Sequence, residues 1–198
     1  MKTKFTIFTL LILVSSILKA QEVIDNYTMS YFNKSYDIEA SKEKNGDFTV
    51  YIQVSAERVS TKANYMIKSD RLNEFKEALL FTRDKYLEWA KIAKDNNVTD
   101  MTKNIDAKFP NIDIAWLSSK WFFSFGEKLS PTFMILKNGQ FVVSFVNKNT
   151  ASSNRYIDET TYWVFADVKE FDEVIQKLDY DKIKGKLEKI ENKANLFK

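Results

Sequence analysis

Neither histidine nor cysteine occurs anywhere in the 198 residues, and the pair of absences removes most common enzyme designs at once. Without imidazole or thiol there is no Ser–His–acid or Cys–His nucleophile, no His or Cys zinc site and no imidazole acid or base. What survives for an enzyme is a carboxylate pair, a Ser–Lys pair or a metal held by oxygen alone. Without cysteine there is no disulfide either, so an exported form must rely on a hydrophobic core of adequate size. Proline and glycine are scarce, at 2 and 4 residues; this excludes a collagen-like or low-complexity chain and leaves no Pro- or Gly-rich linker between domains. No cofactor fingerprint is present, and no cofactor or metal is expected.

What is present in quantity is apolar and aromatic: 44% hydrophobic residues, with 16 Phe, 9 Tyr and 4 Trp. The first twenty residues stand apart. Lys2 and Lys4 precede an apolar run from Phe5 to Leu18 that ends in Lys19-Ala20-Gln21. The run is shorter than the ~20 residues of a membrane span and offers a small residue before a cut, so residues 1–20 are expected to be a signal peptide cleaved after Ala20. Its removal takes Lys2, Lys4 and Lys19 and no acid, and the net charge of +3 falls to zero. No basic excess remains for a phosphate backbone, so nucleic acid is not an expected partner. The expected location is periplasmic or extracellular. Residues 21–198 are expected to form a single domain.

One stretch occurs twice: Lys44-Asn45-Gly46-Asp47-Phe48-Thr49-Val50-Tyr51 and Lys137-Asn138-Gly139-Gln140-Phe141-Val142-Val143-Ser144. Each Asn-Gly supplies two residues that tolerate φ > 0 in a tight hairpin turn, followed by a strand rich in aromatic and β-branched residues. The likeness resumes in order, with Asn64-Tyr65-Met66-Ile67 before Asn73-Glu74-Phe75 and Thr161-Tyr162-Trp163-Val164 before Lys169-Glu170-Phe171. Two similar halves, about 21–98 and 105–198, are therefore expected, each a set of antiparallel strands followed by a helix. The first helix carries Leu72, Phe75, Leu79, Tyr86, Ala90 and Ala93 on one stripe, with Ser69 or Asp70 as N-cap. The second begins at Asp167 with a capping box to Glu170 and buries Phe171, Val174, Ile175 and Leu178. Met101 to Asn111 reads as irregular, and the polar tract Asn147 to Thr160 as a loop.

The fold class expected is α+β: an internally duplicated antiparallel sheet of about 7–8 strands with two main helices on one face. That layout is similar to the saddle of TATA-binding-protein-like folds, in architecture alone, since none of that family's DNA-reading residues can be placed here. The alternative is an α/β/α sandwich in which the C-terminal helix covers the opposite face.

Candidate chemistry is sparse. Ser41 and Lys44 have Ser–Lys spacing without the accompanying motifs of penicillin-recognising enzymes. Asp167/Glu170 and Asp172/Glu173 are explained by helix capping and solvation, and Asp158-Glu159 lacks a calcium-loop pattern. Trp116, Trp121, Phe122, Phe123 and Phe125 form an aromatic cluster of which Phe122, out of phase, is the expected exposed member. Arg58 and Arg155 lie in corresponding connections of the two halves, so Glu57 and Arg58 with Asn154, Arg155, Tyr156 and Asp158 form the expected recognition surface, loops being common carriers of function. The reading is an exported, non-enzymatic binding protein for a protein, polymer or small ligand. The alternatives are an unusual hydrolase using carboxylates or an oxygen-held metal, and peripheral membrane association through the C-terminal helix, which is not favoured.

Overall fold

The computed structural model describes residues 21–58 and 61–195; the expected signal peptide lies outside the described residues. The described chain runs β1 (Glu22–Met29), β2 (Lys34–Lys42), β3 (Phe48–Ala56), β4 (Lys62–Lys68), α1 (Leu72–Asp95), β5 (Met101–Asn104), β6 (Ile112–Leu117), β7 (Trp121–Glu127), β8 (Pro131–Ile135), β9 (Phe141–Ala151), β10 (Asn154–Phe165), α2 (Val168–Lys177) and α3 (Tyr180–Asn195). It is an α+β arrangement in which all ten strands pair antiparallel.

The strands fall into two ladders. One runs β1-β2-β3-β4-β6-β7 and the other β5-β8-β9-β10. They join where Ser55 and Ala56, at the end of β3, pair with Tyr162 and Thr161 of β10. They meet again where Ser152 N–H, at the tip of the β9–β10 hairpin, donates to the Phe123 carbonyl of β7 at 2.8 Å.

Alternation decides which face is buried. Phe48, Val50, Ile52 and Val54 project from β3 to one side, where Tyr65, Ile114, Trp116, Phe133, Phe145, Trp163 and Phe165 join them from other strands. Against this face lies the apolar stripe of α1, comprising the six residues of the sequence pattern with Ala78 and Thr82. Phe171 and Val174 of α2 and Ile183 and Leu187 of α3 enter the same core. The C-terminal helix therefore does not cover the opposite face as the sandwich alternative requires. Asp25 on β1 meets Lys186 of α3 at 2.8 Å and Lys177 of α2 at 3.4 Å, which seats both helices on that strand.

The two Asn-Gly turns match bond for bond. Glu43 N–H donates to Asp47 O at 2.7 Å and Gly46 N–H to Glu43 O at 3.2 Å; Leu136 N–H donates to Gln140 O at 2.9 Å and Gly139 N–H to Leu136 O at 2.7 Å. In each, the Asn side-chain oxygen accepts the backbone N–H two residues on. Only the glycines have positive φ, +92° at Gly46 and +79° at Gly139. This corrects the expectation that Asn and Gly both take φ > 0: each loop is a turn closed by one left-handed glycine, and Asn serves through its side chain. A Cβ at either glycine meets nothing within 4 Å, so Gly46→Ala and Gly139→Ala incur only the left-handed strain. Each should cost about 1 kcal/mol and lower the melting temperature by roughly 2–4 °C. Thermal denaturation of the two variants checks this, and a loss at only one turn would refute their equivalence.

Other expectations are revised. Met101 to Asn104 is an edge strand on β8, invisible in sequence because three of its four side chains face water. Most of the polar tract 147–160 is ladder, since β9 and β10 extend to a turn at Ser152-Ser153. Polar residues there are partly paired with one another: the buried Asn149 NH2 donates to Asn147 O, Glu159 O and Thr161 Oγ1 at 3.1–3.2 Å, while Asn147 Oδ1, Asn149 Oδ1 and Glu159 Oε2 are buried without a hydrogen-bond partner. No side chain caps α1; a short 3-10 turn over Ser69–Arg71 leads into it, and Ser69 Oγ accepts Phe48 N–H instead. At α2, Asp167 accepts Lys169 N–H at 2.8 Å as expected, but Glu170 does not close the box. Its carboxylate accepts Ala166 N–H at 2.7 Å and Ser30 N–H at 2.8 Å, bridging α2 to the β1–β2 connection.

Candidate functional site

The β6–β7 hairpin sets the phase of the aromatic cluster. Its register pairs Trp116 with Phe122 and Leu117 with Trp121, so Phe122 shares the face of Trp116, their rings 6.0 Å apart. Phe122 is 5% exposed and belongs to the core, which overturns its assignment as the exposed member. The opposite phase faces water: Trp121 and Phe123 are each 37% exposed and Phe125 62%. Phe123 and Phe125 lie parallel, 4° apart with centroids at 6.1 Å. The signal was in the sequence, because Ile112, Ile114 and Trp116 face inward and the short Ser118–Lys120 connection then places Phe122 inward too.

Beside this ladder stands the tip of the β9–β10 hairpin, held to it by the Ser152–Phe123 backbone bond. Asn154 Oδ1 accepts Tyr156 N–H at 3.0 Å and fixes the tip. Tyr156 is 79% exposed; the Arg155 guanidinium lies 4.9 Å from its ring centroid and donates to its hydroxyl at 2.7 Å. Three of the six expected site residues, Asn154, Arg155 and Tyr156, are thus one unit. Asp158 stands further along β10, 3.6 Å from Lys148. Arg58 sits where β3 meets β10: its N–H donates to Glu159 Oε1 at 3.3 Å and its Nε lies 3.9 Å from Glu159 Oε2.

The acids proposed for chemistry are engaged elsewhere. Asp158 and Glu159 point to opposite faces of β10, one half-exposed and one buried, so they do not converge. Asp172 pairs with Arg83 and Glu173 with Lys177. Ser41 Oγ hydrogen-bonds the Tyr51 hydroxyl at 3.1 Å while Lys44 stands exposed at the hairpin tip. Among the described residues, no group of three or more carboxylates is placed to hold a metal ion, and no helix is long and apolar enough to cross a membrane.

The core holds buried phenols. The Tyr86 phenol is pushed up to about 12, first by burial and then by the charges of Asp167 and Glu170. Burial also raises Tyr65, and it raises Tyr27 strongly. A folded pKa above the unfolded value of about 10 means the native state keeps its proton after the unfolded chain has lost it, so stability is intact below pH 10 and falls as pH rises toward 12. Tyr86→Phe removes one such group and the hydroxyl bond to Ala166 O at 3.1 Å. It should cost about 1 kcal/mol at pH 7 and flatten the alkaline decline by up to about 1.4 kcal/mol per pH unit. Urea titrations at pH 7, 10 and 11 read both effects; an unchanged alkaline slope would refute the assignment.

The open face of β8, β9 and β10 carries a groove of about 580 Å³, whose lining includes Glu57, Tyr162, Val146, Val164, Val142 and Met134. The C-terminal helix, which the sandwich alternative would lay over this face, packs into the core on the other side. No protein-family model, no curated protein and no solved structure matches this chain.

Proposed function

We propose that the protein is an exported, non-enzymatic binding protein, acting in the periplasm or outside the cell, that holds a glycan polymer on the outer face of β7. The observation that carries this reading is the exposed, parallel Phe123/Phe125 pair in line with Trp121. Flat aromatic surface of this kind takes the apolar face of a sugar ring, and solvent-facing apolar residues in one contiguous row mark an interaction surface. Arg155 and Asn154 on the adjoining hairpin supply hydrogen-bonding groups for hydroxyls. Export rests on the N-terminal sequence, Lys2 and Lys4 before the apolar run. A duplicated origin, with β2-β3-β4-α1 and β8-β9-β10-α2 as the two copies in a saddle-like sheet, is supported by the matching turns.

Depletion from solution by insoluble peptidoglycan, chitin and cellulose tests the function. The wild-type chain should be retained on at least one of them, and Phe125→Ala with Trp121→Ala should weaken retention about tenfold or more with little change in melting temperature. No retention on any polymer, or retention indifferent to both substitutions, would reject the glycan reading.

A further inference from the structure

The groove on the other ladder is built with a direction. Strand register orders its lining along β10: Glu57 N–H bonds Thr160 O at one end, Tyr162 then stands between Ser55 and Val146, Val164 is next, paired with Ser144, and Val142 with its partner Met134 lies beyond. At about 3.3 Å per residue this is roughly 20 Å of floor, charged at one end and, apart from Ser55, Ser144 and the Tyr162 hydroxyl, apolar through the rest. Val142 and Val164 are buried, and Tyr31 from the β1–β2 connection forms part of the wall. The volume suits a small molecule.

Charge selects among apolar ligands. Glu57 is the single ionisable acid of the lining, and no lysine or arginine lines the groove. Among the described residues no cation pairs with Glu57: Arg58 is turned to Glu159 and Lys148 to Asp158. An anionic amphiphile would bring its charge to an unneutralised carboxylate, whereas a cationic one would neutralise it, and the adjacent Tyr162 ring favours an ammonium group further. We infer that this groove binds a cationic amphiphile, its apolar body along Val146, Val164, Val142 and Met134 and its ammonium group at Glu57. The site is separate from the β7 surface, so it stands or falls independently of glycan binding.

Isothermal titration of the full chain with dodecyltrimethylammonium and with dodecanoate, each below its micellar concentration, tests it. The cation should bind one to one and at least tenfold more tightly than the anion. Glu57→Gln should reduce cation affinity about tenfold and erase the preference. Val146→Arg, at an exposed position, should weaken the cation and strengthen dodecanoate; circular dichroism verifies that both variants are folded. Equal or reversed affinities, no saturable binding, or a preference that survives Glu57→Gln would overturn the proposal.

Discussion

Trp163→Ala should cost about 3–5 kcal/mol, a large share of the roughly 5–15 kcal/mol that holds an ordinary domain together. The indole is fully buried and packs against Phe165 at 4.7 Å, Phe145 at 5.2 Å, Tyr65 at 5.8 Å and Phe75 at 6.1 Å between centroids. It therefore contacts β4, β9, its own strand and α1 at once, and no single neighbour can move to fill the void. Trp163→Phe forfeits part of the area but keeps an aromatic ring in the cluster, so it should cost clearly less than the alanine variant. Urea denaturation of both measures this. An alanine variant within 1 kcal/mol of wild type would show that the aromatic cluster is not the centre of the core.

Glu170→Ala should be next in size, at about 2–4 kcal/mol, for a different reason: it orphans two donors. Ala166 N–H and Ser30 N–H both point at this carboxylate, Glu170 is buried, and a buried donor without a partner loses its hydration for nothing. Glu170→Gln should also destabilise, since an amide offers one oxygen and turns its NH2 toward the second donor. Hydrogen exchange supplies the specific readout. The amides of Ser30 and Ala166 should lose protection together, although 136 residues separate them in sequence; an uncoupled response would break the bridge argued here.

What could be read from sequence followed from periodicity. The stripe Leu72, Phe75, Leu79, Tyr86, Ala90, Ala93 is buried as spaced, and Asp167 caps α2, because helical phase and capping are local. Failures came where a long-range partner decides. Met101 to Asn104 becomes a strand only because β8 offers an edge, and Asn149 is strand interior only because Glu159 stands opposite it and Thr161 Oγ1 accepts from its amide. Alternation puts Phe122 out of phase with Trp121 and Phe123, but which phase faces inward is decided by the hairpin register that pairs Phe122 with Trp116. For the candidate site, Asn154, Arg155 and Tyr156 cluster as expected, whereas Arg58 is drawn to Glu159 by the β3–β10 junction, a pairing of residues more than one hundred apart that no local pattern announces. The polarity of the groove exists only once β3 and β10 lie side by side, which no local pattern carries.

That junction also orders assembly in time. β10 supplies Trp163 and Phe165 and is the strand through which β3 reaches β9, yet it is the last strand of the described chain. The first four strands and α1 can form their local contacts early, but their shared core stays open until the last strand arrives. Closing so long a loop makes folding a late, all-or-none event of the slower β-rich kind.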